Sequence, residues 1–396
     1  MPEIHGQVAA GWEPVRAAFE ANSEMDVDPL APMLGGSPRE IGAAFSLYHR
    51  GVKVVDLWGG IADPTTGREW DERTLALVFS TTKGATAICA NLLAQRGELD
   101  LDAPVVDYWP EFGKHGKDTI PVGYLLCHKS GLPYVVDTMT HEEMLQWEPV
   151  VEALENMEPV WEPGSQHGYH AVTYGWLVGE VIKRVSGKSI GRFFHDEVAG
   201  PLGLDFWIGT PDEHHERVAL LETFPMPDDP TIKAIVDQFI GPETLLGRAL
   251  AAPVEEVEQD RYNHPETWRA EIPAANGICD ARSLARMYAA CVGEVDGTRL
   301  LSEEQITKAI EPQTEGPDAV IMNMELTYGL GFMLPSPIMP LGNDRNFGHF
   351  GAGGSMGMAD PDHQIGFGYV MNKMFLGLTG DPRTTNLINA VYGCLG

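Results

Sequence analysis

The sequence predicts an α/β protein of the α+β type. An antiparallel sheet is assembled from both ends of the chain and flanked by helices, with a mainly helical region inserted between them. Three observations predict this. Strand-like runs cluster at the two ends, helical periodicity fills the middle, and the apolar supply is large enough for a sizeable core, at 43% hydrophobic residues in a chain of 396.

At the N-terminal end, IGAAFSLYH and VKVVDLWGG within residues 41–62 read as a hairpin joined across Arg50 and Gly51. At the other end, TYGLGFML, NFGHFGAGG, SMGMADP and IGFGYVMN within 327–372 are short, Gly-punctuated strand candidates, and DPRTTNLINAVYGCL reads as a closing helix. Between them, apolar residues at Ala85, Ile88, Cys89, Leu92 and Leu93 fall on one helix face, with Gly97 as its stop. A second face is made by Tyr174, Leu177, Val178, Val181, Ile182 and Val185, ending at Ser186-Gly187. The Pro- and acid-rich stretch 205–270 has the weakest periodicity and is expected to be a lid-like excursion over a cleft. The expected division is therefore residues 1–70 with 271–396 as the sheet-bearing domain, and 71–270 as the mainly helical one.

Composition excludes several function classes. The net charge of -30, from 57 acidic and 27 basic residues, repels phosphate backbones and anionic lipid, so neither nucleic acid nor a membrane surface is an expected partner. Five scattered cysteines (Cys89, Cys127, Cys279, Cys291, Cys394) form neither a disulfide framework nor a zinc spacing. The first residues, MPEIHGQVAAGWEPVRAAFE, lack a basic segment followed by an apolar run, and no window is long and apolar enough to span a bilayer, so a cytoplasmic protein is expected. Nothing in the sequence specifies an oligomeric state.

Chemistry-bearing residues stand at three places. Ser80-Thr81-Thr82-Lys83 opens the first helix. Positions i and i+3 share a helix face, so the lysine amine can lie beside the serine hydroxyl. A serine is a poor nucleophile until a neighbouring base takes its proton, and lysine is such a base only when its pKa is lowered. An N-capping serine followed by a solvated lysine gives the same letters. Against that reading, no other serine here has lysine at that offset, and the helix that follows, GATAICANLLAQ, is apolar enough for a buried helix. The second place is Tyr169, in Pro163-Gly164-Ser165-Gln166-His167-Gly168-Tyr169-His170-Ala171 just before the second helix. The third is Gly348-His349-Phe350-Gly351-Ala352-Gly353-Gly354, whose glycines would let a substrate approach a strand edge.

In this order the three motifs resemble the serine β-lactamase and penicillin-binding-protein superfamily, with SxxK, a Tyr motif and a Lys/His-x-Gly strand. LDLDAPVVDYWPEF, LLCHKSGLP, EPGSQHGYHAVTYGWLVGEVIKRVSGKSI and FGHFGAGGSMGMADPDHQIGFGYVMN look like the class C β-lactamase-related esterases, or family VIII carboxylesterases, from about Ala43 to Met371. The resemblance implies a β-lactamase/transpeptidase-like fold and a serine hydrolase acting on a small-molecule ester, short acyl chains favoured, through an acyl-enzyme and without metal or organic cofactor. It implies Ser80 as nucleophile, Lys83 and Tyr169 as the proton-handling pair, and the amides of Ser80 and a residue at or near Ala352 as the oxyanion hole. It also implies His349, Phe350 and Gly351 as the substrate-binding strand. Two positions depart from the β-lactamase pattern. Ala171 stands where Asn is usual, and His349-Phe350 where Lys-Thr is usual. The groups lost there would hold a lactam's amide and carboxylate, which favours neutral esters. A β-lactamase, a D-amino-acid peptidase and an acyltransferase are the alternatives on this scaffold.

Gly353-Gly354-Ser355-Met356-Gly357 matches the G-x-S-x-G elbow, but a turn and a strand follow it where an elbow needs a helix. His214, His215 and Glu216 are adjacent, yet helical neighbours point apart and no second cluster accompanies them, so a charged turn is expected there rather than a metal site. A non-catalytic binding protein would have no need of the full Ser/Lys/Tyr set.

Overall fold

A computed structural model describes residues 3–26, 39–222, 230–251, 260–375 and 380–396. Parts of the expected lid, 223–229 and 252–259, lie outside the described residues. The described strands are β1 (Ile4–Val8), β2 (Gly42–His49), β3 (Val52–Asp63), β4 (Arg68–Glu69), β5 (Ala76–Leu77), β6 (Phe206–Trp207), β7 (Ile278–Cys279), β8 (Thr327–Tyr328), β9 (Met333–Leu334), β10 (Phe347–Phe350), β11 (Met356–Asp360) and β12 (Ile365–Met371). Nine of them make one sheet in the order β1-β3-β2-β12-β11-β10-β9-β8, with β4 added on β3. Every pair in it is antiparallel.

The hairpin expected at 41–62 forms β2 and β3 around Arg50-Gly51, both with positive φ. The two chain ends then meet at the centre, where β2 pairs with β12 from Ala43↔Met371 to His49↔Ile365. Residues 365–371 are all buried, whereas buried positions in β3 alternate at Val55, Leu57 and Gly59, as a strand with one covered face requires. One covering element is the helix Ala281–Val292, begun by Asp280, whose carboxylate accepts from Ser283 N at 2.7 Å. It sits close because β12 carries glycine beneath it. A Cβ at Gly366 would lie 2.2 Å from Ala285 O, and one at Gly368 would lie 2.4 Å from Ala281 O. The helices Glu13–Asn22 and Pro382–Leu395 pair through Asn386, whose amide donates to Ala18 O at 3.0 Å and Asn22 Oδ1 at 2.8 Å.

Two departures from the sequence reading have physical causes. The run TYGLGFML yields only the two-residue strands β8 and β9, because Gly331 turns at φ 92° between them. A second sheet, β5-β7-β6, is built of two-residue strands too short to show any periodicity in sequence. That sheet brings the chain to Ser80, with Val78 N donating to Gly277 O at 2.9 Å. No helix among the described residues is long and apolar enough to cross a membrane.

Candidate active site

The helix Thr82–Gln95 is buried at every residue from Thr82 to Leu93, so its N-terminus is delivered into the interior and not onto the surface. Ser80 sits half-buried just before it. The turn that presents Ser80 is strained, because Phe79 holds φ 43°, in the left-handed region that a bulky side chain rarely adopts. Thr82 restrains it by donating from N (2.9 Å) and from Oγ1 (2.5 Å) to Phe79 O.

Lys83 is completely buried, and its amine is held at three points. Nζ lies 3.1 Å from Ser80 Oγ and donates to Ala171 O at 2.6 Å and Ala274 O at 3.0 Å. No carboxylate pairs with it among the described residues, and burial drives its pKa well below the ordinary lysine value. A neutral amine has two N–H donors and one lone pair. Two carbonyls and one hydroxyl match that inventory if the serine O–H points at the nitrogen.

Tyr169 is placed by its backbone. Its N–H donates at 3.0 Å to Asp318 Oδ1, a fully buried carboxylate that also accepts from Val320 N (2.9 Å) and Ile321 N (2.8 Å) and, through Oδ2, from Tyr328 Oη (3.1 Å). The Tyr169 ring stacks on Tyr328, with centroids 6.3 Å apart, and lies 4.8 Å from Lys83 Nζ. Burial pushes the Tyr169 phenol above its ordinary value, a hydrogen bond with Ser80 pulls it back, and Asp318 adds to the rise. The tyrosine is therefore a proton donor at neutral pH.

Neutral histidines enclose this pair. His170 accepts from Leu132 N at Nε2 (3.1 Å), has Ser130 Oγ at 2.9 Å, and donates from Nδ1 to Gly168 O at 2.6 Å. Those partners fix the neutral tautomer, and burial lowers its pKa to about 3. His128 packs at 5.0 Å from the Tyr169 ring, and burial holds its pKa well below the ordinary value. His349 lies 6.0 Å from Tyr169, centroid to centroid. Its Nδ1 donates to Phe350 O at 2.7 Å, which leaves Nε2 as a buried acceptor with no partner among the described residues. Burial, then the nearby Lys83, lowers its pKa to about 3.

Ser80, Lys83 and Tyr169 thus converge, and His349 joins them. Phe350, next to His349 in the strand, is half-buried, Gly351 is buried and Ala352 is exposed. The amides of Ser80 and Ala352 carry no hydrogen bond to other described residues. Ser355 is fully buried, with its hydroxyl bound to Val78 O at 2.8 Å, so it is not presented as a nucleophile. His214 and His215 do not converge either. The first stacks on Trp207 at 4.6 Å and the second donates to Thr210 O at 3.0 Å. Sequence reasoning missed Asp318, Ala274, His128 and His170. Backbone carbonyls leave no mark in sequence, and Asp318 lies 149 positions from the amide it holds.

The chain is similar to a wider group of proteins. The Beta-lactamase family model matches residues 19–391. The esterase/beta-lactamase LipL of Mycobacterium tuberculosis is 36% identical over 347 residues, covering 84% of this chain and 77% of that one. Among solved structures, a family VIII carboxylesterase superposes with a TM-score of 0.86 at 36% identity, over 99% of this chain and 100% of that one. A penicillin-binding protein homolog from Caulobacter crescentus gives 0.84 at 35% identity, over 99% of this chain and 100% of that one. With its motifs in order, its buried lysine against the serine and a family match over nearly its whole length, the chain belongs to the Beta-lactamase family.

Proposed function

We propose that this chain hydrolyses carboxylic esters of small, neutral substrates through an acyl-enzyme on Ser80. The observation that carries the reading is Lys83 Nζ 3.1 Å from Ser80 Oγ, held by two carbonyls and by no carboxylate among the described residues. Lys83 accepts the serine proton as Ser80 attacks the acyl carbonyl. The amides of Ser80 and Ala352 receive the developing oxyanion. Tyr169 passes its proton to the departing alkoxide and is reprotonated through Lys83. Water, activated by the same pair, then releases the acid and restores Ser80. The similarity to the esterase/beta-lactamase LipL and to a family VIII carboxylesterase supports the same reaction class.

The surroundings favour esters over lactams. His349 is uncharged at neutral pH and offers an acceptor, so a substrate carboxylate finds no cation there. Phe350 presents a ring where a hydroxyl would be needed, and Phe79 packs edge-on against Tyr262 at 4.8 Å beside the nucleophile. These apolar surfaces suit a short acyl chain. Kinetics on acetate, butyrate and laurate esters, a cephalosporin and a D-amino-acid peptide test this. The butyrate ester is expected to exceed the cephalosporin in kcat/KM by roughly 10³–10⁴, with all activity lost in Ser80→Ala. Equal specificity constants would overturn the substrate reading, and an active Ser80→Ala would overturn the mechanism.

A further inference from the structure

Ser355 stands outside the catalytic cluster, yet its polar atoms are engaged by the turn that carries the nucleophile. Its Oγ donates to Val78 O at 2.8 Å and lies 3.1 Å from Thr81 Oγ1. Thr81 Oγ1 in turn donates to Ser355 O at 3.2 Å. The same carbonyl accepts from Gly351 N at 2.8 Å, which closes the loop Gly351–Ser355 on itself. The two segments touch without an intervening side chain. A Cβ at Gly351 would fall 2.0 Å from Val78 O and 2.2 Å from Ser355 Oγ. From its far side the loop is held by Arg383 Nη2, which donates to Gly353 O at 2.7 Å.

The two segments so joined are those that carry the free amides of Ser80 and Ala352. We propose that Ser355 is a positioning residue for the oxyanion hole, clamping the loop Gly351–Ser355 to the strained Val78–Thr81 turn so that the two amides keep a fixed separation. This rests on the ester-hydrolase reading of Ser80. Only one of the two donors sits on the nucleophile's own turn, so the hole is only as preorganised as the contact between the segments. The clamp touches neither substrate nor reacting atoms. It acts on charge that develops after binding, so its loss falls on kcat and leaves KM nearly untouched.

The test uses the full chain with Ser355→Ala, Thr81→Val and Thr81→Ser on a butyrate ester, with active sites counted by fluorophosphonate titration so that unfolded protein does not enter kcat. Ser355→Ala is expected to lower kcat per titrated site about ten- to a hundredfold with KM within about twofold. Affinity for butylboronic acid, whose tetrahedral adduct on Ser80 places an oxygen in the hole, should fall by a comparable factor. Thr81→Val should move in the same direction, and Thr81→Ser, which restores the hydroxyl, should return to within about threefold of the parent. Unchanged kcat and boronate affinity in Ser355→Ala, or a loss confined to KM, would overturn the proposal. If Ser355→Ala yields no titratable sites, the Thr81→Val and Thr81→Ser pair decides it by the same criteria. Failure of the underlying reading looks different, because the parent enzyme would then not be labelled on Ser80.

Discussion

Lys83 owes its chemistry to what surrounds it. A lysine on the surface keeps its proton well above neutral pH, but here a fully buried amine meets two carbonyls, two aromatic faces at 4.8 and 5.7 Å, and no carboxylate among the described residues. Burial with no carboxylate counter-charge favours the neutral nitrogen, which is the form a base needs, while the carbonyls and ring faces receive its N–H groups. Tyr169 is shifted the opposite way and stays protonated, so in the proposed reaction the two groups would divide the work of base and acid. Two outcomes follow. The rate should rise with pH as Lys83 loses its proton and then level off, and the neighbouring His349 and His170 should add no inflection above about pH 3, where they titrate. Lys83→Ala and Tyr169→Phe should each cost roughly 10²–10⁴ in kcat, with the double variant little worse than the poorer single, because members of one proton relay are not additive. Steady-state pH profiles of the parent and these three variants check both points. A Tyr169→Phe enzyme with normal turnover would mean that the leaving group takes its proton from elsewhere.

At the scale of elements, the close fit of the helix Ala281–Val292 on β12 is the feature on which the sheet core depends. Gly366 and Gly368 let backbone meet backbone, so a side chain there has no space to enter. Gly366→Val should destabilise by at least the ~1–3 kcal/mol typical of overpacking, since the first added carbon already collides with Ala285 O. Urea unfolding measures this, and an unchanged midpoint would mean that the helix can shift outward freely. Elements of this size were legible in the sequence. The hairpin around Arg50-Gly51, the helix after Ser80, the helix after Tyr169 that ends on Gly187 with φ 72°, and the closing helix all carry a period or a stop that local physics dictates. Ser80, Lys83 and Tyr169 were legible as well, since their spacing and order are themselves local signals. The short strands β5 to β7 were not, because two residues cannot show a period. Nor was the part of the site made by tertiary contact, where Asp318 reaches Tyr169 and Ala274 reaches Lys83 across the fold. The letters around Ser355 match a nucleophile elbow without the helix one needs, and its burial and its bond to Val78 O agree with setting that reading aside.

For the whole molecule, the buried histidines couple the site to global stability. His170 and His349 titrate at about 3 in the folded chain, and burial is the first cause in both. In an unfolded chain a histidine binds its proton near pH 6.5. Between those values the unfolded state holds protons that the folded state refuses, so stability rises with pH across that window. The contribution of each histidine is fully present above about pH 6.5 and is lost as pH falls toward about 3, at up to ~1.4 kcal/mol per pH unit. Glu40 and Asp280 oppose this. Burial raises both carboxyls above their ordinary values, so they favour the folded state as they protonate and offset part of the histidine slope, and comparing the parent with a histidine variant isolates the histidine share. Urea unfolding at pH 7, 6 and 5 should therefore show a steady loss of stability on acidification. His349→Gln, which removes one refused proton, should flatten that slope by about one proton's worth while leaving His170 in place. An identical slope in parent and variant would mean that His349 takes up its proton without unfolding, and the neutral acceptor beside Tyr169 would then be a cation under mildly acidic conditions.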